Sequence, residues 1–131
     1  MDVGVLDGCS TAEVADAIDQ LQALVTTAQS QLLQLVAHYD RTEAWREDGA
    51  TSMADWLVAR LGIAHRQAKE LVRVARSLEE LPTLAQSFSE ARLSFDQLAP
   101  LTKLASADTD AAMAMQQAKR DLFRQLRRRP A

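Results

Sequence analysis

The sequence predicts an all-α fold, and three observations carry that reading. Helix-forming residues dominate the 131-residue chain, with only four glycines and three prolines to interrupt them. Apolar residues recur at alternating steps of four and three through the first third. Nowhere does a strand-like alternation run between turn residues. The expected architecture is a long N-terminal helix packed on a compact helical bundle that contains a helix-turn-helix. One domain is expected over 1–131: a heptad helix over 10–46, the bundle over 52–105, and a C-terminal helix with a basic tail over 106–131.

The first helix opens at "STAE", where Ser10 and Glu13 have the spacing of a capping box. Val14, Ile18, Leu21, Val25, Ala28, Leu32, Leu35 and Tyr39 then form a heptad seam, and Leu24, Leu33 and Val36 widen it. The pattern predicts one helix from Thr11 to Trp45. A helix this long in so small a chain exposes part of its length unless another surface covers it. Ile18, Leu21, Val25, Ala28, Leu32, Leu35 and Tyr39 are therefore the candidate interface of a homo-oligomer.

"REDGATS" breaks the period at Gly49. Ser52 caps a second helix, Met53 to Leu61, and Gly62 takes the left-handed position after it. A third helix from His65 to Glu80 turns Ala68, Leu71, Val72, Ala75 and Leu78 inward. Pro82 ends it and starts a short helix to Glu90. "SFDQ" is a second capping box, Ser94 with Gln97, opening a helix to Ala105 that Pro100 should kink or deprive of one backbone bond. Ser106 or Asp108 caps the last helix, with Ala111, Met115, Ala118, Leu122 and Leu126 on one face.

Charge is unevenly distributed. The net charge is −3, yet up to Val58 ten acidic residues face only Arg41 and Arg46, and from Ala59 onward thirteen basic residues outnumber eight acidic ones. Either the second half meets an anionic partner or the two halves attract each other. The single cysteine, Cys9, leaves no internal disulfide, so a reducing, cytoplasmic setting is expected. No uncharged run approaches the ~20 residues of a membrane span, and no membrane partner is expected.

The stretch "RLGIAHRQAKELVRVAR" concentrates the functional argument. Counting from Gly62, apolar residues fall five before (Leu57), one before (Leu61), one after (Ile63), and six and nine after (Ala68, Leu71). That spacing fits a helix-turn-helix, with Val58 larger and Ala64 less polar than the ideal. Arg66, Lys69, Arg73 and Arg76 recur along the outer face of the second helix, with His65 and Gln67 near its start. These six residues are the candidate nucleic-acid contacts: cations for phosphates, Gln67 or Arg66 for base edges. The alternative is a solvated helix face.

Catalysis is not expected. His38 and His65 lie on different helices without metal-ligand spacing, and "SADTDAA" reads as acids at a helix start, not as a cation site. No glycine-rich phosphate loop is present, and no cofactor is expected.

The pieces "AWREDGATSMADWL", "RLGIAHRQA", "VARSLEELP" and "LSFDQL" resemble the domain of unknown function family 222, also called the thirteen-E-twelve repeat family of actinobacterial proteins. The resemblance runs from His38 to Asp110, and the long first helix is of the family's kind. It implies the region that in longer members precedes an HNH nuclease module. The histidine-metal site and paired cysteines of that module have no counterpart here, so nuclease activity is not carried over. Where the family tends toward glycine and toward serine or threonine, this chain has Ala91 and Ala64. The element order is also similar to the helical DNA-binding core of ParB-type partition proteins, an analogy of pattern only.

The expectation is a non-catalytic module that binds DNA or docks on a related HNH-nuclease protein. The rivals are a protein–protein module that self-associates through the first helix, and a shortened product of a nuclease-type gene. What the basic stripe faces separates the first two. Open exposure favours DNA, and closure against Asp16, Asp19 or other first-helix acids favours assembly.

Overall fold

The computed structural model describes residues 3–104, 117 and 120–127. Among these the chain is helical, with no strand. The elements are α1 (Val3–Leu6), α2 (Thr11–Thr42), a 3-10 turn (Ala44–Arg46), α3 (Met53–Leu61), α4 (His65–Glu79), α5 (Pro82–Ser89) and α6 (Phe95–Leu104). Residues 120–127 are also helical. Of the expected last-helix face, Leu122 and Leu126 fall in that stretch and are exposed, whereas Ala111, Met115 and Ala118 lie outside the described residues, as do the acids of "SADTDAA".

The 32 residues of α2 span roughly 48 Å at 1.5 Å per residue. Its capping box forms as read: the Glu13 amide donates to Ser10 Oγ at 3.1 Å and the Ser10 amide to Glu13 Oε1 at 3.4 Å. The helix stops at Thr42, short of the expected Trp45. The Thr42 hydroxyl donates to the Tyr39 carbonyl at 2.7 Å and accepts from the Ala44 amide at 3.3 Å, taking over backbone bonds that another turn would need. Glu43 turns left-handed, with φ 55°, and the 3-10 turn drives Trp45 into the core. The four-residue α1 was not foreseen.

The body is built around α4, which packs against α2, α3, α5 and α6. Ala68 and Val74 are wholly buried, and Leu71, Val72 and Ala75 complete its inner surface. Val74 was not on the expected face, because a helix covered from several sides buries more than one stripe. Opposite it, α2 contributes Leu33, Val36 and Ala37 together with two polar residues, Thr26 and Ser30. Met53 and Leu57 from α3, Leu84 and Phe88 from α5, and Leu93 and Leu98 fill the remainder.

No residue of α2 from Thr11 through Val25 is buried. The body therefore covers only the second half of α2, and on one side.

Pro82 begins α5 at its first turn, where no backbone donor is missed. At its other end the Arg92 amide donates to the Ser87 carbonyl at 2.9 Å and the Ala91 amide to the Phe88 carbonyl at 3.0 Å. This pair of bonds is a Schellman motif, in which the left-handed residue is usually glycine. Here it is Ala91, with φ 59°. The second capping box forms, with the Gln97 amide donating to Ser94 Oγ at 3.2 Å and the Ser94 amide to Gln97 Oε1 at 3.0 Å. Helix α6 continues through Pro100 to Leu104.

Left-handed backbone costs an L-residue about 1–2 kcal/mol, part of which glycine's greater freedom in the unfolded chain offsets. Ala91→Gly is thus expected to stabilise the fold by about 0.5–1 kcal/mol, read as a higher urea midpoint at unchanged slope.

Candidate functional site

The α3–α4 unit is shaped by local chemistry at both ends of α3. Ser52 Oγ accepts from the Asp55 amide at 3.0 Å, and Gly62 ends the helix at φ 67°, its amide donating to the Val58 carbonyl at 3.0 Å. A β-carbon at Gly62 would meet nothing within 4 Å, so glycine is needed there for backbone conformation and not for space. Leu57, Ala68 and Leu71 lie in the core as the spacing from Gly62 predicts, whereas Leu61 remains 46% exposed. Ala64 begins α4 with no side-chain cap.

Beside this unit lies a cluster that the sequence did not announce. Asp48 Oδ2 accepts from Trp56 Nε1 at 2.8 Å and from the Tyr39 hydroxyl at 3.2 Å, and the two rings sit 4.6 Å apart. Arg60 lies over the Trp56 ring at 5.3 Å. Tyr39, read as part of the oligomer seam, is thereby engaged within its own chain.

The six candidate nucleic-acid contacts divide into two groups. Arg66, Gln67 and Lys69 are exposed at the start of α4. His65 is also exposed, but its Nε2 faces Asp55 Oδ1 at 2.9 Å, bracing the first turn of α4 against α3.

The other two arginines are held by groups of the same chain. Arg73 grips Glu70 with two bonds, Nε to Oε2 at 3.1 Å and Nη2 to Oε1 at 2.7 Å. It also donates to Thr102 Oγ1 at 3.1 Å and to the Ala99 carbonyl at 3.0 Å, tying α4 to α6. Arg76 donates to both carboxylate oxygens of Asp40 on α2, at 2.6 and 3.0 Å, and the Asp40 side chain is only 11% exposed. Arg41 pairs with Glu79 across the same contact. The charge imbalance between the halves is thus met partly within the chain, and the stripe closes against a first-helix acid at its C-terminal end.

Two carboxylates on this surface are shifted. The Thr51 hydroxyl, and after it His65, hold the Asp55 carboxyl below its usual range. Hydrogen bonding from Arg73 does the same for Glu70, against the opposing effect of its partial burial.

The second candidate surface is the seam of α2. Ile18 is 62% exposed, Leu21 52%, Val25 49%, Leu32 36% and Leu35 68%, with Ala28 exposed between them. Leu24, 65% exposed, borders the strip. The residues α2 turns to its own body are a different set, separated from the seam by the helical period. Among the described residues no group of three or more His, Cys, Asp and Glu is placed to hold a metal ion, and no helix is long and apolar enough to cross a membrane.

Fold and surfaces together define an all-helical module: a long helix with one bare apolar edge, carried on a small body whose basic helix is partly paired from within. The chain belongs to the family described as Domain of unknown function (DUF222), whose sequence pattern matches residues 11–131. The match takes in the N-terminal half of α2 and the C-terminal segment, beyond the motifs that first suggested it. No curated protein and no solved structure matches the chain.

Because Asp55 and Glu70 have depressed pKa values when folded, their stabilising effect is complete above the unfolded carboxylate values and fades as pH falls through the lower, folded ones. The melting temperature should therefore hold steady above about pH 5 and fall below about pH 4. In Glu70→Gln the acid-side fall should be shallower, as followed by circular dichroism.

Proposed function

We propose that this chain is a non-catalytic protein–protein module that self-associates through the seam of α2. The observation that carries this reading is the strip from Ile18 to Leu35, apolar at heptad spacing and exposed on the folded chain. Fully burying a leucine or isoleucine is worth about 1.5–3 kcal/mol, so covering a strip of such residues is a substantial driving force. Contiguous apolar surface bounded by polar residues is how association sites present themselves. The partial closure of the basic stripe against Asp40 points the same way, since an external anion would compete there with a carboxylate of the chain itself.

The reading predicts a species of twice the 14.5 kDa chain mass in sedimentation equilibrium at concentrations well above micromolar. Leu21→Glu combined with Leu35→Glu should reduce it to a single chain with unchanged helical content, because both side chains lie outside the core. A wild-type protein of single-chain mass would overturn the proposal.

One observation favours a second reading. Arg66, Gln67 and Lys69 stand exposed at the start of α4, and if α3 and α4 act as a helix-turn-helix, this is the end that reaches base edges in DNA-binding examples of the motif. With Arg73 and Arg76 engaged by Glu70 and Asp40, duplex binding would draw on two cations of the stripe, giving a slope of log K against log salt of about −2 instead of about −4. Arg66→Gln with Lys69→Gln should abolish that slope, and Arg73→Gln should leave it unchanged while lowering stability. Absence of duplex binding at low salt removes the DNA reading.

A further inference from the structure

We infer that the α2 helices of two copies pair antiparallel, with Ile18 of each opposite Leu35 of the other. This inference rests on the self-association reading and adds its direction and register.

The seam is symmetric about a point between Thr26 and Thr27. Turned end for end, it places Ile18 opposite Leu35, Leu21 opposite Leu32, and Val25 opposite Ala28. Each of these layers joins positions that differ by three or four in the heptad, the alternation an antiparallel pair requires. At the centre the small Ala28 meets the larger Val25, an interdigitation of unequal side chains that fills the interface. A parallel pair would instead stack Ala28 on Ala28 and leave that layer underfilled.

Charge and shape agree with this direction. The acids Glu13, Asp16 and Asp19 occupy the first turns of α2 with no basic residue among them, while in the last turn Asp40 and Arg41 offset each other and are paired with Arg76 and Glu79 of the body. Parallel pairing gathers two sets of acids at one end, and antiparallel pairing keeps them apart, each beside a charge-balanced end of its partner. The body covers only the second half of α2 from behind, on Thr26, Ser30, Leu33, Val36 and Ala37. In an antiparallel pair each bare N-terminal half lies along a partner half that its own body braces. The parallel arrangement would leave the two bare halves to support each other alone.

Cys9, exposed and immediately before the Ser10 cap, supplies a test without altering the interface. In the antiparallel register Cys9 lies level with residue 44 of the other copy, so the two cysteines are 35 residues apart along the axis, about 50 Å. In a parallel pair they are adjacent, with labels within about 25 Å. The full chain, spin-labelled at Cys9, is measured by pulsed dipolar spectroscopy alongside its mass in solution. A dimer with a mean label distance near 50 Å is the expected result. A dimer with a mean distance well short of that overturns the antiparallel register and leaves self-association standing. A single-chain mass, whether the strip is covered by the chain's own C-terminal segment or by nothing, overturns both.

Discussion

The contact between α2 and α4 is the interaction on which the rest of the molecule depends. Leu33 and Ala37 from α2 meet Ala75 and Leu78 from α4 along it. Two oppositely directed ion pairs, Arg76 with Asp40 and Arg41 with Glu79, close its edge near the ends of both helices. Each helix gives one cation and one anion, so a sliding of one helix past the other by a turn breaks both pairs at once. The apolar burial supplies most of the attraction, and the exposed sides of these pairs contribute modestly to it. Their larger effect is to fix register.

With α4 fixed, the other elements follow. Its remaining sides receive α3, α5 and α6, and each junction has its own local device: Gly62 for the turn from α3, Pro82 for the start of α5, and the Arg73 guanidinium reaching the Ala99 carbonyl of α6. A residue that spacing alone assigns to an outer, basic stripe is therefore also a tie between two helices. Its partial burial and four hydrogen bonds make it part of the architecture.

Much of the fold was legible in the sequence because local rules decide it. Both capping boxes, the bounds of α3 and the left-handed Gly62 depend on residues within a few positions of one another. What could not be read depends on distant partners. The period of α2 says which residues share a face, but not which face the body selects. The chosen face includes Thr26 and Ser30, so hydrophobicity pointed to the other side. Likewise the spacing of Arg73 and Arg76 shows a stripe, and Glu70 three residues away was visible. Asp40, which arrives from 36 residues earlier, was not. The Tyr39, Asp48 and Trp56 cluster escaped notice for the same reason, since a turn must fold before its members meet.

The bare N-terminal half of α2 also sets an order of events during synthesis. Chains emerge N-terminus first at about 5–20 residues per second, so the residues between Leu35 and the end of α4 at Glu79 take roughly 2–9 s to follow. A helix of this kind forms within microseconds of leaving the ribosome. The apolar strip is consequently displayed, already folded, for seconds before α4 exists to steady the helix from behind. In that interval neighbouring nascent chains on one message present the same strip to one another.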